Sequence, residues 1–74
     1  MANRIKVVGS NQTELSKPNG DIVFYSYNTP VVALVSGKWY KTNTKYSNTT
    51  SKHINAYLDG INAQGIDQSF FDNL

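Results

Sequence analysis

The tetrapeptide Lys17-Pro18-Asn19-Gly20 constrains this chain more than any other feature. Proline fixes φ and lacks a backbone donor, and Asn-Gly is the pair a type I′ turn demands, so the chain must reverse direction here. Two extended runs flank the reversal. Gln12–Ser16 places Thr13 and Leu15 on one face. Asp21–Tyr27 places Ile22, Phe24 and Ser26 on one face and Val23, Tyr25 and Tyr27 on the other. Apolar or aromatic groups on both faces predict a central strand, covered on two sides.

The same punctuation extends in both directions. Arg4–Val8 alternates and is rich in β-branched residues, which predicts a first strand ended by Gly9-Ser10-Asn11. Asn28-Thr29-Pro30 interrupts after Tyr27, because Pro30 holds Thr29 extended and cannot donate to a ladder. Val31–Val35 reads as a buried strand, Ser36-Gly37 as a two-residue turn, and Lys38–Thr44 as the strand that pairs back, with Trp39 and Tyr40 on opposite faces. After a polar loop at 45–48, Ile54, Tyr57, Leu58 and Ile61 recur at helical spacing. Thr49, Thr50 and Ser51 are competent N-caps and Gly60 lies where a C-cap glycine belongs, so the spacing predicts a helix over 50–59. Residues 62–65 read as a connector, and Asp67 as the cap of a last turn over 68–73 that offers Phe70, Phe71 and Leu74.

Strands followed by helix predict an α+β domain: a twisted antiparallel sheet of four to five strands with one C-terminal helix packed on it and a second short helix. A small, partly open barrel closed by the helix is the competing architecture. With 74 residues, the chain forms one domain spanning 1–74. A domain of this size buries only about 60% of the surface its unfolded chain exposes. Aromatics at 12% must therefore supply much of the core area.

Several function classes are excluded by what the residues lack. There is no cysteine, and so no thiolate chemistry. The longest apolar run, Val31–Val35, is far short of the ~20 residues of a membrane span, and Met1–Gly9 has no leader-like apolar stretch, so a cytoplasmic protein with no membrane partner is expected. The carboxylates at 14, 21, 59, 67 and 72 form no helical dyad, and His53 is the single histidine. No enzyme, metal or cofactor is expected from such a set.

Binding is what remains, and three sets of residues could carry it. Tyr25, Tyr27, Asn28, Trp39 and Tyr40 form an aromatic set suited to a protein partner or a homo-oligomer contact, provided that Phe70-Phe71 do not cover their face. Lys38, Lys41 and Lys45 interleave with Trp39, Tyr40 and Tyr46, the ingredients of a stacking platform for single-stranded nucleic acid. Thr49, Thr50, Ser51, Lys52 and His53, at the predicted start of the helix, could surround a small anion such as a nucleotide phosphate. Charge is uneven: residues 1–52 carry seven cations against Glu14 and Asp21, a net of +5, whereas 53–74 carry three aspartates and no cation, a net of −3.

The run Phe24-Tyr25-Ser26-Tyr27-Asn28-Thr29-Pro30-Val31-Val32-Ala33, then Gly37 before Trp39-Tyr40, then Lys45-Tyr46-Ser47-Asn48-Thr49-Thr50-Ser51-Lys52-His53-Ile54-Asn55 resembles short proteins of bacteriophages and other mobile elements that form a domain family of unknown function. The resemblance covers about half the chain. It implies an origin and no assigned site residues. Small proteins of that kind often act stoichiometrically on a host factor, so the resemblance implies a non-enzymatic accessory protein that binds a host protein, such as a component of host defence, in the bacterial cytoplasm.

Overall fold

The computed structural model describes residues 4–74, so the first three residues of the N-terminal segment judged for a leader lie outside the described residues. Six strands and two helices follow in the order β1 (Arg4–Gly9), β2 (Gln12–Ser16), β3 (Ile22–Ser26), β4 (Thr29–Val35), β5 (Lys38–Thr42), α1 (Asn48–Leu58), β6 (Gln64–Ile66) and α2 (Gln68–Asp72). The strands lie side by side in sequence order in one sheet. All neighbours are antiparallel except β5 and β6, which are parallel. The α+β class is as expected. The sheet is mixed and six-stranded, not antiparallel with four to five strands, because the segment read as a connector forms β6 against β5.

Three local expectations need correction. At the Pro-Asn-Gly turn, only Gly20 has a positive φ, of 94°. The Gly20 N–H donates to the Lys17 carbonyl at 3.0 Å. Pro18 and Asn19 thus occupy the centre of a type I-like turn and Gly20 takes the left-handed position after it, since the negative φ of Pro18 is pre-set for that geometry. At Thr29-Pro30 the chain is not interrupted. Both residues belong to β4, and the register slip between Phe24 and Tyr25 accommodates the proline. The helix starts at Asn48, capped by Ser47 and not by Thr49–Ser51, and Asp59 takes the left-handed C-cap position ahead of Gly60. Ile61 therefore falls outside the helix and is exposed.

The register sorts side chains onto two faces. Phe24, Val32, Trp39 and Lys41 share one face with Glu14 and Lys6. Helix α1 docks there: Ile54 and Leu58 pack with Phe24, Val31 and Val32, and Tyr57 stacks on Phe24 at 4.0 Å between ring centroids. Trp39 meets Tyr57 edge-on at 6.1 Å. Ile5, Leu15, Val23, Ala33 and Tyr40 line the opposite face, together with Val7, Thr13 and Tyr25. Short α2 packs on that face against β4 and β5. Phe70 lies 5.1 Å from Tyr40, and Gln68 accepts from the Thr42 hydroxyl while donating to the Pro30 carbonyl. Among the described residues, no helix is long and apolar enough to cross a membrane.

Candidate functional site

Helix α2 packs against β4 and Val23 of β3 is buried, so the open part of this face is β1, β2 and the Tyr25 end of β3. Ile5, Thr13, Leu15 and Tyr25 line a groove of about 280 Å³ there, together with Tyr27 and Asn28 of the β3–β4 turn. Ile5 and Val7 are 74% and 75% exposed, a large apolar exposure for β-branched residues in a strand. Tyr27 is half-exposed and has a φ of 57°, a left-handed conformation unusual for an aromatic residue. Its N–H donates to the Asn11 carbonyl at 2.7 Å, which ties the β3–β4 turn to the β1–β2 turn.

Beneath Tyr27, a chain of hydroxyls joins β3 to α1. Ser47 Oγ accepts from the Thr50 N–H at 3.1 Å, and its hydroxyl donates to Thr50 Oγ1. The buried Ser26 hydroxyl lies 3.4 Å from Thr50 Oγ1 and 2.8 Å from His53 Nδ1. Ser26 has one proton to give. When it goes to Thr50, the His53 Nδ1–H donates to Ser26; when it goes to Nδ1, Thr50 can supply a proton in return. Tyr27 leans over this cluster, its ring 5.9 Å from that of His53. A hydroxyl–imidazole contact of this length also suits nucleophilic chemistry, but an attacking oxygen needs an open approach. Ser26 is 1% exposed and enclosed by β3 and α1, so here the pair latches helix to sheet. No buried side-chain polar atom among the described residues lacks a partner.

The three predicted sets are distributed as follows. Tyr25, Tyr27 and Asn28 come together in the open groove. Trp39 is half-buried against the α1 core and Tyr40 lies beneath Phe70 on the other face, so neither joins them. Lys41 and Lys45 meet in a separate groove of about 320 Å³, with Asn43, Thr44, Ser51 and Asn55 between β5 and α1. Lys38 lies apart, beside Trp39 and Asn62–Gln64. Of the helix-start residues, Thr50 and His53 turn inward to Ser26, Ser51 faces the Lys41 groove, and Thr49 and Lys52 are exposed. They do not converge on one point. With the helix beginning at Asn48, His53 sits in its second turn rather than its first. No group of three or more His, Asp or Glu side chains among the described residues is placed to hold a metal ion.

Sequence reasoning missed Ile5, Thr13 and Leu15 as groove residues. The available signal was the alternation of β1, which puts Ile5 and Val7 opposite Arg4 and Lys6 on a strand with nothing predicted to cover it.

A family model matches residues 1–73, nearly the whole chain. The chain belongs to a family of unknown function, DUF8033. Nothing among curated proteins or solved structures matches it.

Among the described residues of this DUF8033 domain, the Tyr57 phenol is the ionisable group that is displaced. Burial in the first place, and the Glu14 carboxylate in the second, push the Tyr57 phenol above its ordinary range. The folded state thus keeps a proton that the unfolded chain releases near pH 10. Stability from this source is fully present below pH 10 and falls as pH rises above it. Tyr57→Phe should remove that part of the alkaline slope while keeping the stack on Phe24. Urea midpoints at pH 8 and pH 11 test this. A variant with the same slope as the parent would show that Tyr57 is solvated.

Proposed function

We propose that this protein is a non-catalytic binding module that engages another protein through the open half of its sheet. In the phage setting that the sequence resemblance implies, the target is a host protein, a host factor or a component of host defence. The observation that carries this reading is the exposed groove of Ile5, Leu15, Tyr25, Tyr27 and Asn28, apolar and aromatic, on a face that α2 leaves uncovered. A small domain rarely leaves such a surface to water unless something covers it. Tyrosines are favoured anchors for contacts of this kind, being large, rigid and amphipathic.

Capture of partners from bacterial lysate by the tagged chain, with and without nuclease, tests the reading. A discrete protein retained after nuclease and at high salt is expected, because an apolar contact is little screened. Partners that vanish with nuclease would overturn it in favour of a second reading, a polyanion held by Lys41 and Lys45 in their own groove. In that case Lys41→Ala with Lys45→Ala would flatten the salt dependence of binding.

A further inference from the structure

Among the described residues, strand β1 is one edge of the sheet and pairs with β2 alone. All of Arg4–Val8 is exposed. A strand in this position offers a row of unpaired backbone N–H and C=O groups to a further chain. Its side chains are sorted by charge. Arg4 and Lys6 project on the α1 face, and Ile5 and Val7 on the face of the open groove. Glu14, the cross-strand neighbour of Lys6, also faces the Tyr57 phenol.

We propose that β1 is a strand-addition site for an extended segment of a partner protein that alternates acidic and apolar residues. The proposal rests on the reading of the open face as protein-binding, and names the form the partner takes there. Backbone pairing to β1 sets acidic side chains against Arg4 and Lys6, and sends apolar ones to Ile5 and Val7, continuous with the groove at Leu15 and Tyr25. A second copy of this chain fits the edge poorly in the registers centred on Ile5 or Lys6. An antiparallel β1–β1′ pair centred on Lys6 sets Lys6 against Lys6, and one centred on Ile5 sets Arg4 against Lys6. Like charges directly opposite are destabilising. The same cations that discourage self-pairing thus select an acidic strand.

The test uses the isotope-labelled full chain and a capped seven-residue peptide alternating glutamate and valine. Two comparators accompany it: the same peptide with lysine for glutamate, and the glutamate peptide N-methylated on its ladder-forming side. Slowed hydrogen exchange across Arg4–Val8 is expected with the glutamate peptide. The lysine peptide should bind roughly fivefold more weakly at low salt, and the N-methylated peptide should not bind. A double variant, Arg4→Glu with Lys6→Glu, should reverse the preference between the two charged peptides. Equal binding of the comparators would overturn strand addition. So would β1 protection that appears without peptide and grows with protein concentration, which would make a second copy the occupant. Shifts at Leu15, Tyr25 and Tyr27 with no protection in β1 would also overturn it, while leaving the open-face reading intact. If no peptide binds, strand addition fails, and the lysate capture decides the open-face reading separately.

Discussion

Phe24→Ala is expected to remove a large share of the stability of this domain. Phe24 is 0% exposed, stacks on Tyr57 with an interplanar angle of 15°, and packs with Val31, Val32, Ile54 and Leu58. Truncating a buried phenylalanine costs about 3–5 kcal/mol, through lost transfer energy and the cavity left behind. At roughly 0.05–0.15 kcal/mol per residue, a 74-residue domain has a total of about 4–11 kcal/mol to lose. The effect should appear as a collapse of the urea midpoint and loss of the near-ultraviolet dichroism from Tyr57 and Trp39. Phe24→Leu, which refills most of the volume, should recover much of the loss. A Phe24→Ala protein within about 1 kcal/mol of the parent would mean that α1 is not docked on β3 as described.

The reasons that Phe24 could be identified as core from sequence are the reasons that much of the fold was legible. It belongs to an alternating run next to a proline-glycine turn, and both signals act over a few residues. The same is true of β1, β2, β5 and the Ser36-Gly37 turn, where both residues have positive φ. Strand β6 was not legible, because Gln64-Gly65-Ile66 has no alternation and only one apolar residue. Its extended form comes from pairing with Tyr40–Thr42 after α1 has carried the chain back. The helix start was ambiguous for a related reason. Ser47, Thr49, Thr50 and Ser51 are comparable caps in isolation, and Thr50 is drawn inward by Ser26 instead. In the candidate site, Tyr25, Tyr27 and Asn28 could be grouped because one strand and its turn hold them. Ile5, Thr13 and Leu15 join them only through the registers of two hairpins. That their face stays open depends on where α2 ends.

Tyr27→Gly should separate binding from folding. Holding a tyrosine at a φ of 57° costs about 1–2 kcal/mol, which glycine relieves. Glycine in turn gives the unfolded chain more freedom, worth roughly 0.4–1 kcal/mol in the opposite direction. The bond from the residue 27 N–H to the Asn11 carbonyl survives the change. Urea denaturation should therefore place the variant within about 1 kcal/mol of the parent. Binding should behave differently. A tyrosine anchor at the mouth of an apolar groove carries about 2 kcal/mol or more on truncation, roughly a thirtyfold loss of affinity for the captured partner. A folded Tyr27→Gly protein that still captures its partner would remove the open face as the binding surface. A variant that unfolds would instead show that the contact of Tyr27 with His53 holds the turn. Tyr27→Asn then decides the matter, since asparagine tolerates the left-handed conformation and lacks the ring. If Tyr27→Asn folds and fails to bind, the strained tyrosine is retained for recognition rather than for the turn.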